Sequence, residues 1–389
     1  MTLVVPFRFG FATRLAAFYA AYFVLGGMQM PFLPVWLKAK GLDARVIGIM
    51  LAVPLVVRVL AIPLIAREAD RRDALRPVLV LTTAATVVGY AAFGLSSGAA
   101  ALLVAFTLAS LAYTPIMPLA ETYALRGLAA RGRAYGPVRL WGSLAFIVGS
   151  FLAGFAADRI DGRDLIWPIV TATAAVALAA FALEPLKLAD LRTPAQPAVR
   201  RGLWREPPFA AAVAAAALIQ ASHAMFYGFS ALEWGRLGLD GREVAALWAL
   251  GVVAEIVLFA LQGRLPALFE PTMLMMIGAG GAVVRWVGMA LGPPPALLPF
   301  LQLLHAASFG ATHLGALTFI ARHAPAGQAA SAQGWLAIAL GLAMAASMAV
   351  SGWLYASFGV AAYGAMALAA IVGGGCASVA HRTRHITMP

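Results

Sequence analysis

The chain has 389 residues, 62% of them apolar and only 11% charged, with a formal net charge of +12. A water-soluble domain carries roughly 25% charged residues, so so low a charge content over the whole length excludes a soluble globule. The basic residues sit in short loops between long apolar runs, which points to membrane topology and away from nucleic-acid binding.

An apolar run of 18 or more residues reads as a membrane span, because about 20 residues at 1.5 Å rise cross a hydrocarbon core of roughly 30 Å. Twelve such spans are expected, near 11–37, 44–66, 77–95, 99–125, 136–157, 165–183, 209–234, 243–263, 272–291, 296–321, 328–351 and 354–379. The first is too long for a signal peptide and contains Pro31 and Pro34. The connections are short except for 184–208, which is basic and holds five prolines. The expectation is an all-α membrane protein of twelve transmembrane helices in two pseudo-symmetric six-helix halves, 1–183 and 209–389, joined by a cytoplasmic linker. Of the 28 Lys and Arg, eighteen fall on the side of the chain's termini and seven on the other. That bias places both termini and the linker in the cytoplasm of a bacterial inner membrane, with the lipid bilayer as surroundings and no obligate protein partner evident. A weak internal repeat, WLKAKGLD from Trp36 and WGRLGLD from Trp234, closes the first span of each half. At an offset of 197, Asp43 meets Asp240 and Arg58 meets Glu255. The single cysteine, Cys376, has no disulfide partner, and no metal-type spacing of Cys or His is present.

A charge inside hydrocarbon costs at least about 2.5–3.5 kcal/mol, so the few polar groups within spans are informative. On span one, Tyr19, Tyr22, Gly26 and Gln29 share a helical face. That stripe either faces a cavity, where it would stack on an aromatic or sugar ring, or packs against neighbouring helices. Arg58, mid-way along span two, is a candidate anion clamp or a partner for a buried acid. Glu121 on span four and Arg139 on span five lie at similar depth and can form an ion pair. In the second half, His223 reads first as an interhelical hydrogen-bonding group, with Phe226, Tyr227 and Ser230 following on its face. Glu255, Arg285 and His305 fall on spans eight, nine and ten. A carboxyl in a low-dielectric span can load and release a proton near neutral pH, with Arg285 or His305 balancing its charge. His305 also fits a titrating role through the ordinary imidazole pKa of about 6.5. His305 and His313, eight residues apart, fall about 80° from each other on a regular α-helix, which disfavours a metal pair.

Several passages carry a resemblance. They are FYAAYFVLGGMQMPFLPVWL at 18–37, YGPVRLWGSLAFI at 135–147 and SHAMFYGFSALEW at 222–234, with VVAEIVLFA at 252–260 and LLHAASFGATHLGAL at 303–317. Over nearly its whole length the chain resembles the major facilitator superfamily in its lactose-permease-like branch, and within it the phenylpropionic-acid type of permease. The resemblance implies that Arg139, with Trp141 half a turn away, contacts substrate, and that the groups on spans eight to ten carry proton coupling. It also implies a gating loop at Asp70, Arg71 and Arg72, although AREADRRDALRP at 66–77 lacks both glycines of the usual pattern.

The expected function is proton-coupled uptake of a small organic anion such as an aromatic carboxylate, by alternating access. The alternatives are proton-coupled transport of a neutral sugar or nucleoside, and drug efflux. Substrate contacts are expected from Tyr19, Tyr22, Gln29, Arg58, Glu121, Arg139, Trp141, His223 and Tyr227. The proton is the only coupling species, with no cofactor or metal, and no enzymatic motif lies at a span boundary.

Overall fold

The computed structural model describes residues 10–71, 74–186, 206–264, 270–324 and 328–387. Most of the expected linker and Arg72 lie outside the described residues, as do the side chains of Asp70 and Arg71.

Among the described residues the chain is all helical. Up to the linker run α1 (Phe11–Ala39), α2 (Ala44–Arg71), α3 (Leu75–Leu95), α4 (Ala99–Tyr113), α5 (Ile116–Ala129), α6 (Gly136–Ala157) and α7 (Ile166–Phe181). After it come α8 (Pro207–Ala221), α9 (Ala224–Arg236), α10 (Gly241–Leu261), α11 (Pro271–Ala290), α12 (Leu298–Leu303), α13 (Thr312–His323), α14 (Ala329–Phe358) and α15 (Tyr363–Thr387). Eleven stretches are long and apolar enough to cross a membrane. The last, Ser331–Thr383, is 53 residues long and takes in most of both α14 and α15. The turn between them falls at Gly359–Ala362, some residues beyond the expected 351–354, where Gly359 takes a positive φ of 56°.

Three expected spans are interrupted. Pro115, which has no N–H to donate, separates α4 from α5. At the α8–α9 break, Ser222 Oγ donates to the Ile219 carbonyl, and His223 Nδ1 lies 3.1 Å from the same oxygen. These side chains take up backbone groups that hydrocarbon would leave without partners. Between α12 and α13, residues Ala306–Ala311 wind as a π-helix.

The weak repeat corresponds to one turn built twice. Gly41 and Gly238 both adopt φ near +90°, at 87° and 89°. Asp43 then accepts from the Val46 N–H at 2.9 Å, and Asp240 from the Glu243 N–H at 2.8 Å. A left-handed glycine ends one helix and an aspartate caps the next.

Helix α1 packs on α6, α2 on α14, and α6 on α10. Where α2 begins and α14 ends, a Cβ added to Gly48 would lie 2.8 Å from the Gly352 Cα, so only glycine allows that approach. At the same end of the bundle, Asp158 accepts from the Gly241 N–H at 2.5 Å and pairs with Arg242 at 3.0 Å, tying α6 to α10.

Candidate functional site

Near the middle of the bundle is a cavity of about 240 Å³, bounded by α1, α6, α9, α10, α11 and the π-helix. Its wall is largely aromatic, from Phe23, Phe146, Phe226, Tyr227, Trp248 and Phe309. Phe226 stacks on Trp248 with centroids 4.7 Å apart, so the two rings hold each other in place. Its charged or titratable groups are Arg139, Tyr227, Glu255, Arg285 and His305. A larger open groove of about 690 Å³ between α3 and α4 is lined by Ala, Val, Leu and Gly with one serine, and offers no comparable chemistry.

The polar groups of α8–α13 are knit together. Arg285 is completely buried, its guanidinium carbon 4.5 Å from the Phe226 ring and 4.6 Å from the Trp286 ring. It donates to Gln302 Oε1 at 2.6 Å and to His305 Nδ1 at 2.9 Å, with Ser308 Oγ at 3.4 Å. Arginine only donates, so His305 Nδ1 must accept and the ring proton sits on Nε2. That nitrogen points at Glu255 Oε2, 3.4 Å away. The same reasoning fixes His223. Its Nδ1 lies between two backbone carbonyls and carries the proton, so Nε2 accepts from Ser308 Oγ at 3.0 Å. Ser308 therefore joins His223 to Arg285.

The ionisable groups Arg58, Glu121 and Arg139 of α2, α5 and α6 are arranged otherwise. Arg139 lies with its guanidinium carbon 4.1 Å from the Phe23 ring centroid. Glu121 faces both Arg139 and Arg58. Among the described residues, however, none of the three forms an ion pair. The expected Glu121–Arg139 bridge is therefore not closed. Arg139 thus stands on the cavity wall with no ion pair among the described residues, its polar neighbour there being the Tyr135 hydroxyl.

Comparison with known proteins gives the family and the fold. The model of the MFS_1 like family matches residues 12–364. The chain belongs to that family. It is 34% identical over 315 residues to the probable 3-phenylpropionic acid transporter of Escherichia coli K12, covering 79% of this chain and 81% of that one. It is 28% identical over 330 residues to the maltose permease of Geobacillus stearothermophilus, covering 82% of each. Among solved structures, the nucleoside transporter NupG superposes with a TM-score of 0.80 at 15% identity, over 98% of this chain and 100% of that one. A bacterial homologue of the human lysosomal transporter Spinster gives 0.72 at 16% identity, over 96% of each. The chain is thus a multi-pass membrane transporter of the major facilitator type, and not an enzyme.

In this MFS_1 like transporter the expected site residues divide. Arg139, Tyr227, Glu255, Arg285 and His305 meet at the cavity. His223 stands behind it, fully buried, in the hydrogen-bonding role that its sequence context favoured. The stripe on α1 packs between helices. Tyr19 is fully buried against Tyr135, Tyr22 stacks on Tyr113 at 5.8 Å, and Gln29 accepts from the Tyr90 hydroxyl at 2.9 Å. The α1 residues on the cavity wall are Phe23 and Met30, one position further along. Arg58 is exposed and lies near the Tyr22–Tyr113 stack, away from the wall. Trp141 is 56% exposed and off the wall, because two residues past Arg139 is more than half a turn around α6. Trp248, Phe146, Gln302 and Ser308 were missed. The i, i+3 spacing from Gln302 to His305 and on to Ser308 was the available signal.

Proposed function

We propose that this chain is a proton-coupled uptake carrier for a small aromatic monocarboxylate. It works by alternating access between two six-helix halves, with α14 and α15 counted separately to give twelve spans. Both termini face the cytoplasm of a bacterial inner membrane, and the closed contacts at Gly48–Gly352 and Asp158–Arg242 lie at the outer end.

The observation that carries this reading is Arg139, a cation on an aromatic cavity wall with no ionic partner among the described residues. A substrate carboxylate can supply that partner through a bidentate pair, while a single aromatic ring lies against Phe226, Trp248 and Phe146. The size of the cavity supports a small solute. At about 240 Å³ it falls below the roughly 300–1,000 Å³ usual for drug-sized ligands, which counts against efflux of large drugs. The rings also offer few of the hydrogen-bonding groups that a sugar needs. The named relative from Escherichia coli points the same way. Glu255, opposite Arg139, is the proton carrier in this scheme, and Arg285 with His305 holds it in place.

The test is calorimetric binding of 3-phenylpropionate, 3-phenylpropanol and maltose to the purified protein and to Arg139→Gln. Binding of the acid by the native chain, lost in the variant while any alcohol binding is unchanged, supports the reading. Native binding of maltose and not of the acid sinks it in favour of a neutral sugar.

A further inference from the structure

The π-helix at Ala306–Ala311 changes which side chains share a face. On a regular α-helix His305 and His313 would diverge by about 80°. Each i→i+5 turn rotates less per residue, and π-segments recur at functional sites. Here Phe309 stacks on His305 at 5.2 Å and on His313 at 5.9 Å, with an interplanar angle of 9° in both cases. The three rings form one column, a histidine on each side of a phenylalanine.

Glu255 of α10 lies alongside that column. Its Cγ is 3.6 Å from where a Cβ on Gly310 would stand, an ordinary contact distance, so the carboxyl arm passes directly beside the π-helix. It faces both histidines, with His305 Nε2 at 3.4 Å. The two histidines are not equivalent. His305 receives the Arg285 guanidinium on Nδ1, so protonating that nitrogen would place an imidazolium N–H against a cation 2.9 Å away. His313 makes no hydrogen bond or ion pair among the described residues and is half-buried. The charged or titratable groups around the column are Glu255 of α10, Arg285 of α11, Tyr227 of α9, His223 at the α8–α9 break and Arg139 of α6. Of these only Glu255 faces His313. Because α12 and α13 run from Leu298 to His323, His313 lies further along toward the end of the bundle where α1 begins.

We infer that His313 takes the proton from Glu255 and hands it to water on the side of the chain's termini, while His305 only positions the carboxylate. This rests on the proton-carrier role proposed above for Glu255. In the step the Oε–H bond of Glu255 breaks and an N–H bond forms on His313, leaving a carboxylate and an imidazolium. The imidazolium then releases that proton to water, and the ring returns to neutral.

The test uses proteoliposomes of the full chain with labelled 3-phenylpropionate. It compares accumulation under an imposed inward proton gradient with exchange at equal pH and equal substrate on both sides. Exchange needs no proton release, so a purely structural defect slows both, whereas loss of the exit group slows only accumulation. His313→Gln and His313→Asn should exchange near the native rate while accumulation slows by about tenfold or more. Native accumulation in both variants overturns the inference, and so does loss of exchange in both. Gradient-driven accumulation that survives Glu255→Gln, or a native chain that does not accumulate the acid, instead overturns the proposed function, and this inference with it.

Discussion

The polar groups on α2, α5 and α6 and those on α8–α13 solve the problem of charge in hydrocarbon in opposite ways. In the later set a chain of contacts runs from His223 to Ser308, from Ser308 to Arg285, from Arg285 to Gln302 and His305, and from His305 to Glu255, with His313 outside it. In the earlier set Arg58, Glu121 and Arg139 face one another without closing an ion pair. A linked network holds a geometry, even with Arg285 Nε and Gln302 Nε2 left without partners, whereas a cation without an ion pair beside a cavity is paired when an anionic ligand arrives. In the function proposed above, that contrast gives the substrate charge to Arg139 and proton handling to the Glu255 region.

The sharpest way to break that contrast is to neutralise its unpaired member. Arg139→Gln should weaken binding of an aromatic acid by about 2–5 kcal/mol, at least ~30-fold, and leave the matching alcohol unaffected. Competition binding of the acid and its alcohol checks this. Arg285→Lys tests the knit side. A lysine keeps the charge but not the planar fork, so at least one of Gln302, His305 and Ser308 is left unpaired at about 1–3 kcal/mol. A lower Tm in detergent, with acid affinity falling less than for Arg139→Gln, is the expected result.

Asp240 gives a smaller effect, at the turn between α9 and α10. The Glu243 N–H that it accepts holds its carboxyl below the usual range. Its contribution is therefore complete above the ordinary carboxylate pKa and lost as pH falls through its lowered value. The Tm gap between the native chain and Asp240→Ala should be full at neutral pH and close on acidification. Trp141→Phe should change neither transport nor Tm measurably, because that ring lies off the cavity wall. A large transport defect there would restore the expected pairing of Trp141 with Arg139.

How much was legible in advance follows the same division. Long apolar runs announce membrane helices, and ionisable residues within them are rare enough to find by inspection, so Glu255, Arg285, His305 and Arg139 were found and do meet. Faces were harder. In a soluble helix a polar stripe marks the outside, but here both the lipid side and the cavity side are apolar. The polar stripe of Tyr19, Tyr22 and Gln29 thus marked a packed interface, while the cavity wall ran through Phe23 and Met30. The π-turn after His305 carries no proline, and its Gly310 is one of many glycines within the spans, so a regular helix was the natural reading for His305 and His313. The repeated Gly–Leu–Asp turn was legible because a left-handed glycine and a capping aspartate are local requirements.

The central claim is that proton and aromatic acid travel together, with Glu255 carrying the proton. Its most direct test is uptake of labelled 3-phenylpropionate into proteoliposomes with and without an inward proton gradient, comparing the native chain with Glu255→Gln. The account predicts gradient-dependent accumulation by the native chain, and in the variant equilibration without accumulation. Gradient-driven accumulation by Glu255→Gln, or native uptake indifferent to the gradient, would contradict it.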